Sequence, residues 1–192
     1  SGKLELNIEN ADLSELLCNL HDLMASQAEE KKISLVFINH YCSNCFLLLD
    51  ELRINQILIN IIGNAIKFTN QGSVTVAVEP VSENKGMVFL RFSVRDTGIG
   101  IRQEALGRIF NLFEQSDKET AAQYGGTGLG LAISSRLVQM MGGTLEVESE
   151  FGKGTMFYFT LPLPFGETPV KEKESAVASP VSDNFKGKRI LV

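Results

Sequence analysis

The chain has 192 residues, 44% of them hydrophobic and 21% charged, which supplies one domain with a core of its own and leaves material for a tail. A formal net charge of −5 excludes a general nucleic-acid or anionic-membrane surface, because both attract proteins through a basic field. No apolar run reaches the roughly 18 residues of a membrane span, and the opening SGKLELNIEN has no basic stretch followed by an apolar one, so a soluble, cytoplasmic fragment is expected.

Leu13, Leu16, Leu17, Leu20, Leu23 and Met24 recur at helical spacing behind Asp12, a good N-cap, and predict a first helix that ends near Lys32. His21 falls in this helix and His40 at the end of the next apolar run; each reads as a structural or surface side chain. The runs ISLVFI (33–38) and FLLL (46–49) read as strands of a sheet buried on at least one face. Between them Cys42 and Cys45 have CxxC spacing. With Cys18 they leave an odd thiol in any pairing, which fits a reducing compartment, and a zinc site would need a second pair of ligands where only His40 is near. Free thiols in a loop are expected.

Asp50 opens a second helix, running to about Thr69. A strand pair follows over 73–79 and 87–95, and then a segment over 96–126 rich in glycine and polar residues, with one short helix around 104–110. Loops of that length usually carry function. A third helix over about 127–141 stops at Gly142 and Gly143, and strands are expected over 144–149 and 155–161. The order gives an α/β fold, a helix layer covering a mixed sheet. Residues 164–184 turn to Pro, Ser, Glu and Lys and read as a linker.

Three segments carry chemistry. At roughly 100° per residue, Arg53, Gln56, Asn60, Asn64 and Lys67 share one side of the second helix, opposite Ile54, Leu58, Ile61, Ile62 and Ala65. A solvated face and a ligand face are both open there, but two asparagines one turn apart, followed by a lysine, offer carbonyl oxygen beside ammonium, which suits a magnesium ion and the phosphates it bridges. RDTGIGI (95–101) places Asp96 at a strand end, where it can accept from an exocyclic amine, with glycines that permit close backbone approach. YGGTGLGLAI (124–133) leads a glycine-rich turn into a helix, an anion site by its exposed N–H groups and dipole. It fits neither the P-loop nor the Rossmann pattern.

The ordered segments NIIGNAIKFT, DTGIGI, IFNLFEQSD and GGTGLGLAI resemble the N, G1, F and G2 boxes of the sensor histidine kinase ATP-binding domain, within the wider GHKL fold family; the resemblance covers about residues 2–164. It implies a two-layer α/β sandwich of an approximately five-stranded mixed sheet under three main helices, with ATP and magnesium as cofactors and an ATP lid over 114–124. Carried over by position, Asn64 would coordinate magnesium, assisted by Asn60, and Lys67 would contact phosphate. Asp96 would accept from the adenine amine, Gly98 and Gly100 would form the pocket wall, and Phe110 and Phe113 would anchor the lid or simply pack in the core. Tyr124, Gly126, Thr127, Gly128, Leu129 and Gly130 would surround the phosphates.

Hydrolysing members of the family carry a water-activating glutamate where this chain has Asn60; an amide lacks that basicity, so the γ-phosphate is kept for an external histidine. No segment matches the family's phosphoacceptor histidine motif. The basic residues usual before the lid tyrosine are replaced by Ala122 and Gln123, which keeps a degenerate docking module as the rival to a kinase. The resemblance divides the chain into the end of a post-hairpin segment (1–10), a catalytic domain (11–163), the linker (164–184) and, at KGKRILV (185–192), the start of a receiver domain. It implies a homodimeric hybrid kinase, membrane-anchored through preceding segments, with its own dimerisation/phosphoacceptor domain and a receiver as partners and no nucleic acid.

Overall fold

The computed structural model describes residues 5–41, 46–110 and 129–167. Strand β1 (Glu9–Asp12) leads into helix α1 (Leu13–Glu30), whose cap is the expected Asp12: its side chain accepts from Ser14 N at 2.8 Å. Leu13, Leu16, Leu17, Leu20 and Met24 are buried as the spacing requires. Leu23 lies roughly 80° from the centre of that stripe and is 58% exposed. Strands β2 (Ser34–Asn39) and β3 (Phe46–Leu49) follow, then helix α2 (Glu51–Phe68), with Asp50 accepting from Arg53 N at 3.0 Å. Beyond α2 come β4 (Ser73–Asn84), β5 (Met87–Asp96), the short α3 (Gln103–Leu106), α4 (Gly130–Met140), β6 (Leu145–Glu150) and β7 (Gly154–Pro164).

Five strands form one mixed sheet in the order β2-β4-β5-β7-β6, with β2 parallel to β4 and the other pairs antiparallel. The expected α/β sandwich is what these residues form, with one correction. FLLL does not join that sheet: β3 pairs antiparallel with β1 in a separate two-stranded sheet. Three of the four residues ENAD of β1 are polar and only Ala11 is buried, so they gave no strand signal. Main-chain pairing also runs past the expected linker boundary, since Phe165 bridges Leu47 and Gly166 N donates to Phe46 O at 2.8 Å.

The core lies between one face of the large sheet and the helices. Val74, Val76 and Val78 of β4, Val88, Leu90, Phe92 and Val94 of β5, and Phe157, Phe159, Leu161 and Leu163 of β7 alternate inward. Phe92 and Phe159 are register partners and stack with centroids 5.1 Å apart. From the helix side come Ile54, Leu58, Ile61, Ile62 and Ala65, the apolar face assigned to α2. Each such burial contributes about 1.5–3 kcal/mol for a large aliphatic or aromatic side chain.

Two helices stop by the same device. At α4, Gly142 N donates to Gln139 O and Gly143 N to Val138 O, with Gly142 at φ 86°. At α1, Lys32 N donates to Glu29 O and Ile33 N to Ala28 O, and Lys32 stands at φ 56° where glycine is the usual occupant.

Candidate functional site

The buried register of β5 runs through Val88, Leu90, Phe92 and Val94, and its next member is Asp96. Alternation therefore places a carboxylate on the core face, where it is 7% exposed. Asp96 Oδ1 accepts from Gly98 N at 2.8 Å and from Thr155 N at 3.2 Å, so both of these bonds fall on one oxygen. Burial pushes the carboxyl above its ordinary range, and the two N–H donors from Gly98 and Thr155 pull it partly back.

The loop after Asp96 is fastened to its surroundings. Ile99 N donates to Phe68 O at 3.3 Å, Gly152 N to Ile99 O at 2.8 Å and Ile101 N to Ser149 Oγ at 2.8 Å. A Cβ at Gly98 would collide with Phe68 O, and one at Gly100 with Glu150 O. The close approach that these two glycines permit is thus to the protein's own backbone, and Gly100 also sits at φ 68°.

Helix α2 links this loop to the start of α4. Its C-terminal turn meets Gly98 and Ile99 through Phe68, and one side of its middle meets α4: Asn60 Nδ2 donates to the buried Ser134 Oγ at 2.9 Å, and a Cβ at Gly130 would strike Asn60 Oδ1. Asn60, Asn64 and Lys67 share the polar side of α2 and are each half-buried. Lys67 Nζ lies 5.1 Å from the Phe68 ring centroid. Leu129 stands at the N-cap of α4, which has no side-chain cap hydrogen bond. Phe110 is half-buried and meets Phe157 edge-on with centroids 6.3 Å apart, a core contact. Phe113, Tyr124, Gly126, Thr127 and Gly128 lie outside the described residues, as do Cys42 and Cys45.

Among the described residues no three His, Cys, Asp or Glu side chains group to hold a metal. An ion at this site would rest on the amide oxygens of α2 and on phosphate, a donor set that fits magnesium. His21 is half-buried, 3.2 Å from Asp22, and meets Phe37 edge-on at 5.4 Å, while His40 is 3.9 Å from Glu79; Cys18 is a free, exposed thiol. No helix of the described residues is long and apolar enough to cross a membrane.

Three residues at the site escaped the sequence reading. Thr155 had a signal, since counting back by twos from Phe159 along β7 puts it on the inward face; Ser134 and Lys31 had none, because their contacts lie 74 and at least 35 residues away.

A mixed sheet covered by helices on one face, with a buried acid at a strand end and an amide-bearing helix bridging to a glycine-led one, defines a GHKL-type α/β domain. The model of the family described as histidine kinase-, DNA gyrase B- and HSP90-like ATPase matches residues 49–165, and the chain belongs to that family as a histidine kinase catalytic domain. It is 40% identical over 168 residues to the autoinducer 2 sensor kinase/phosphatase LuxQ of Vibrio cholerae, covering 88% of this chain and 20% of that protein. It is 36% identical over 184 residues to hybrid signal transduction histidine kinase B of Dictyostelium discoideum, covering 94% of this chain and 9% of that one. The chain thus spans a fifth or less of these relatives. Among solved structures it is similar to full-length ShkA in complex with AMPPNP (TM-score 0.74, 38% identity, 88% of this chain and 34% of that one). It is also similar to the nucleotide-free catalytic domain of histidine kinase ThkA (TM-score 0.68, 27% identity, 82% and 96%).

Proposed function

We propose that this domain binds magnesium-ATP and presents the γ-phosphate to a histidine on a separate dimerisation domain in two-component signal transduction. The observation that carries the reading is Asp96, a carboxylate held on the core face with its Oδ1 already fixed by Gly98 and Thr155. Such a group is costly to bury unless it serves a ligand, and Oδ2 can take the exocyclic amine of adenine. Asn64, assisted by Asn60, would hold the metal, and Lys67 would meet phosphate. The first turn of α4, with Leu129, Gly130 and the preceding Tyr124, Gly126, Thr127 and Gly128, donates to the phosphate chain. Magnesium held there would supply positive charge to offset that of the phosphates. Asn60 leaves water unactivated, because its amide is tied to Ser134 and has no basicity to offer.

In this reading the catalytic domain starts at residue 11 and its main-chain pairing carries it past 163 to Gly166, the linker follows to 184, and 185–192 begin a receiver domain. The parent is then a homodimeric hybrid kinase, anchored in a membrane outside this chain, whose catalytic part is cytoplasmic and works with its phosphoacceptor domain and a receiver. Calorimetry with a non-hydrolysable ATP analogue, with and without magnesium, tests the site. Binding that strengthens with magnesium and disappears in Asp96→Ala is expected; no binding at millimolar nucleotide would contradict it and favour a docking module.

A further inference from the structure

Lys31 caps α1 and belongs to no motif, yet its ammonium donates to three main-chain carbonyls at once: Ile66 O at 2.8 Å, Lys67 O at 2.8 Å and Thr69 O at 3.0 Å. A lysine has three N–H donors, so this set is saturated. Two of the acceptors are carbonyls that the end of α2 leaves without intrahelical partners, and a cation there also complements the helix dipole. The remaining carbonyl of this run, Phe68 O, accepts from Ile99 N at 3.3 Å and has Gly98 packed against it. Four consecutive carbonyls, 66–69, are therefore divided between one side chain of α1 and the loop that follows Asp96.

We infer that Lys31 is a positioning residue for the nucleotide site: it clamps the last turn of α2, so that Phe68 O holds the loop from Asp96 to Gly100 at a set distance from Asn64 and Lys67. This inference rests on the nucleotide-binding reading. Three converging carbonyls match a compact ammonium and not a planar guanidinium, whose donors point in one plane. The left-handed turn at Lys32 immediately afterwards ends α1 at this point, which keeps the lysine stem short of any further helical turn.

Loss of a helix cap that served stability alone would lower the protection of all amides together. Loss of a clamp would instead loosen Ile99 and Gly98 selectively. The test compares the wild-type chain with Lys31→Met, which keeps the stem and loses the donors, and with Lys31→Gln, which keeps two of them. Two quantities are read: affinity for the magnesium–ATP analogue, and amide hydrogen exchange at Ile99 and Gly98 relative to the strand amides of β5. About tenfold weaker binding is expected for Lys31→Met, as for outer residues that orient a site. Faster exchange confined to Ile99 and Gly98 should accompany it, with Lys31→Gln between the two; if Lys31→Met does not fold, Lys31→Gln against wild type decides alone. Binding within about twofold of wild type, or exchange at Ile99 that only follows the β5 amides, would overturn the inference. If the wild type itself fails to bind, the nucleotide reading falls, and the exchange arm still shows whether the clamp exists.

Discussion

Asp96→Asn separates what the site costs from what it does. The substitution keeps the shape and keeps an oxygen for the N–H groups of Gly98 and Thr155, but removes a charge from a position 7% exposed. Hydrogen bonds to a charged acceptor contribute about 1.5–3 kcal/mol each against about 0.5–1.5 for a neutral one, so the two bonds together weaken by ~2 kcal/mol. Burying an ion costs several kcal/mol, on the order of 3 or more. The raised carboxyl shows which effect wins, because desolvation outweighs both donors. The variant should therefore be more stable at pH 7 by ~1 kcal/mol, a rise in Tm of about 2–4 °C for a domain of this size. The sign follows from linkage: a carboxyl that titrates above its ordinary value of 3.8 binds its proton more tightly in the folded state. The wild type thus loses stability as pH rises from that value through the raised one, and the gap to Asp96→Asn opens over the same window. Nucleotide affinity moves the other way. The new amide NH2 faces the exocyclic amine, donor to donor, and binding should weaken about 100-fold, ~2.8 kcal/mol. Thermal melts from pH 4 to 8, with calorimetry at pH 7, measure both. A variant less stable than wild type at pH 7, with a gap that does not change with pH, would refute the argument that burial dominates at Asp96.

Two further outcomes follow from local geometry. Lys32→Gly relieves a side chain at φ 56° and should stabilise by ~1 kcal/mol, whereas Lys32→Val should destabilise by a similar amount; chemical denaturation of the pair checks it. Asn64→Ala should abolish the gain in nucleotide affinity on adding magnesium while leaving metal-free binding within about twofold, read by the same calorimetry.

Much of the fold could be read from local chemistry. Asp12 and Asp50 announced two helix starts, Gly142 one stop, and the alternating or apolar runs over 73–79 and 87–95 gave β4 and β5, so that Asp96 could be placed at a strand end. What could not be read depends on contacts distant in sequence. β3 has the composition of a core strand but pairs with the polar β1, and Lys31 reaches carbonyls across the α1–α2 junction. Residue type also misled on cause. Gly98 and Gly100 suit a flat ligand as readily as they suit Phe68 O and Glu150 O, and only the packing distinguishes the two. Asn60 could be read as an amide where a base could stand, but its bond to Ser134, 74 residues away, is silent in the sequence.

The most direct test asks for phosphoryl transfer to a histidine. The domain is mixed with the dimerisation and phosphoacceptor domain of a related hybrid kinase, magnesium and ATP labelled at the γ-phosphate. Label on the acceptor's histidine, acid-labile and base-stable, with little free phosphate in its absence, is the expected result. Nucleotide binding without any transfer would contradict the kinase reading, and free phosphate released without the acceptor would contradict the role given to Asn60.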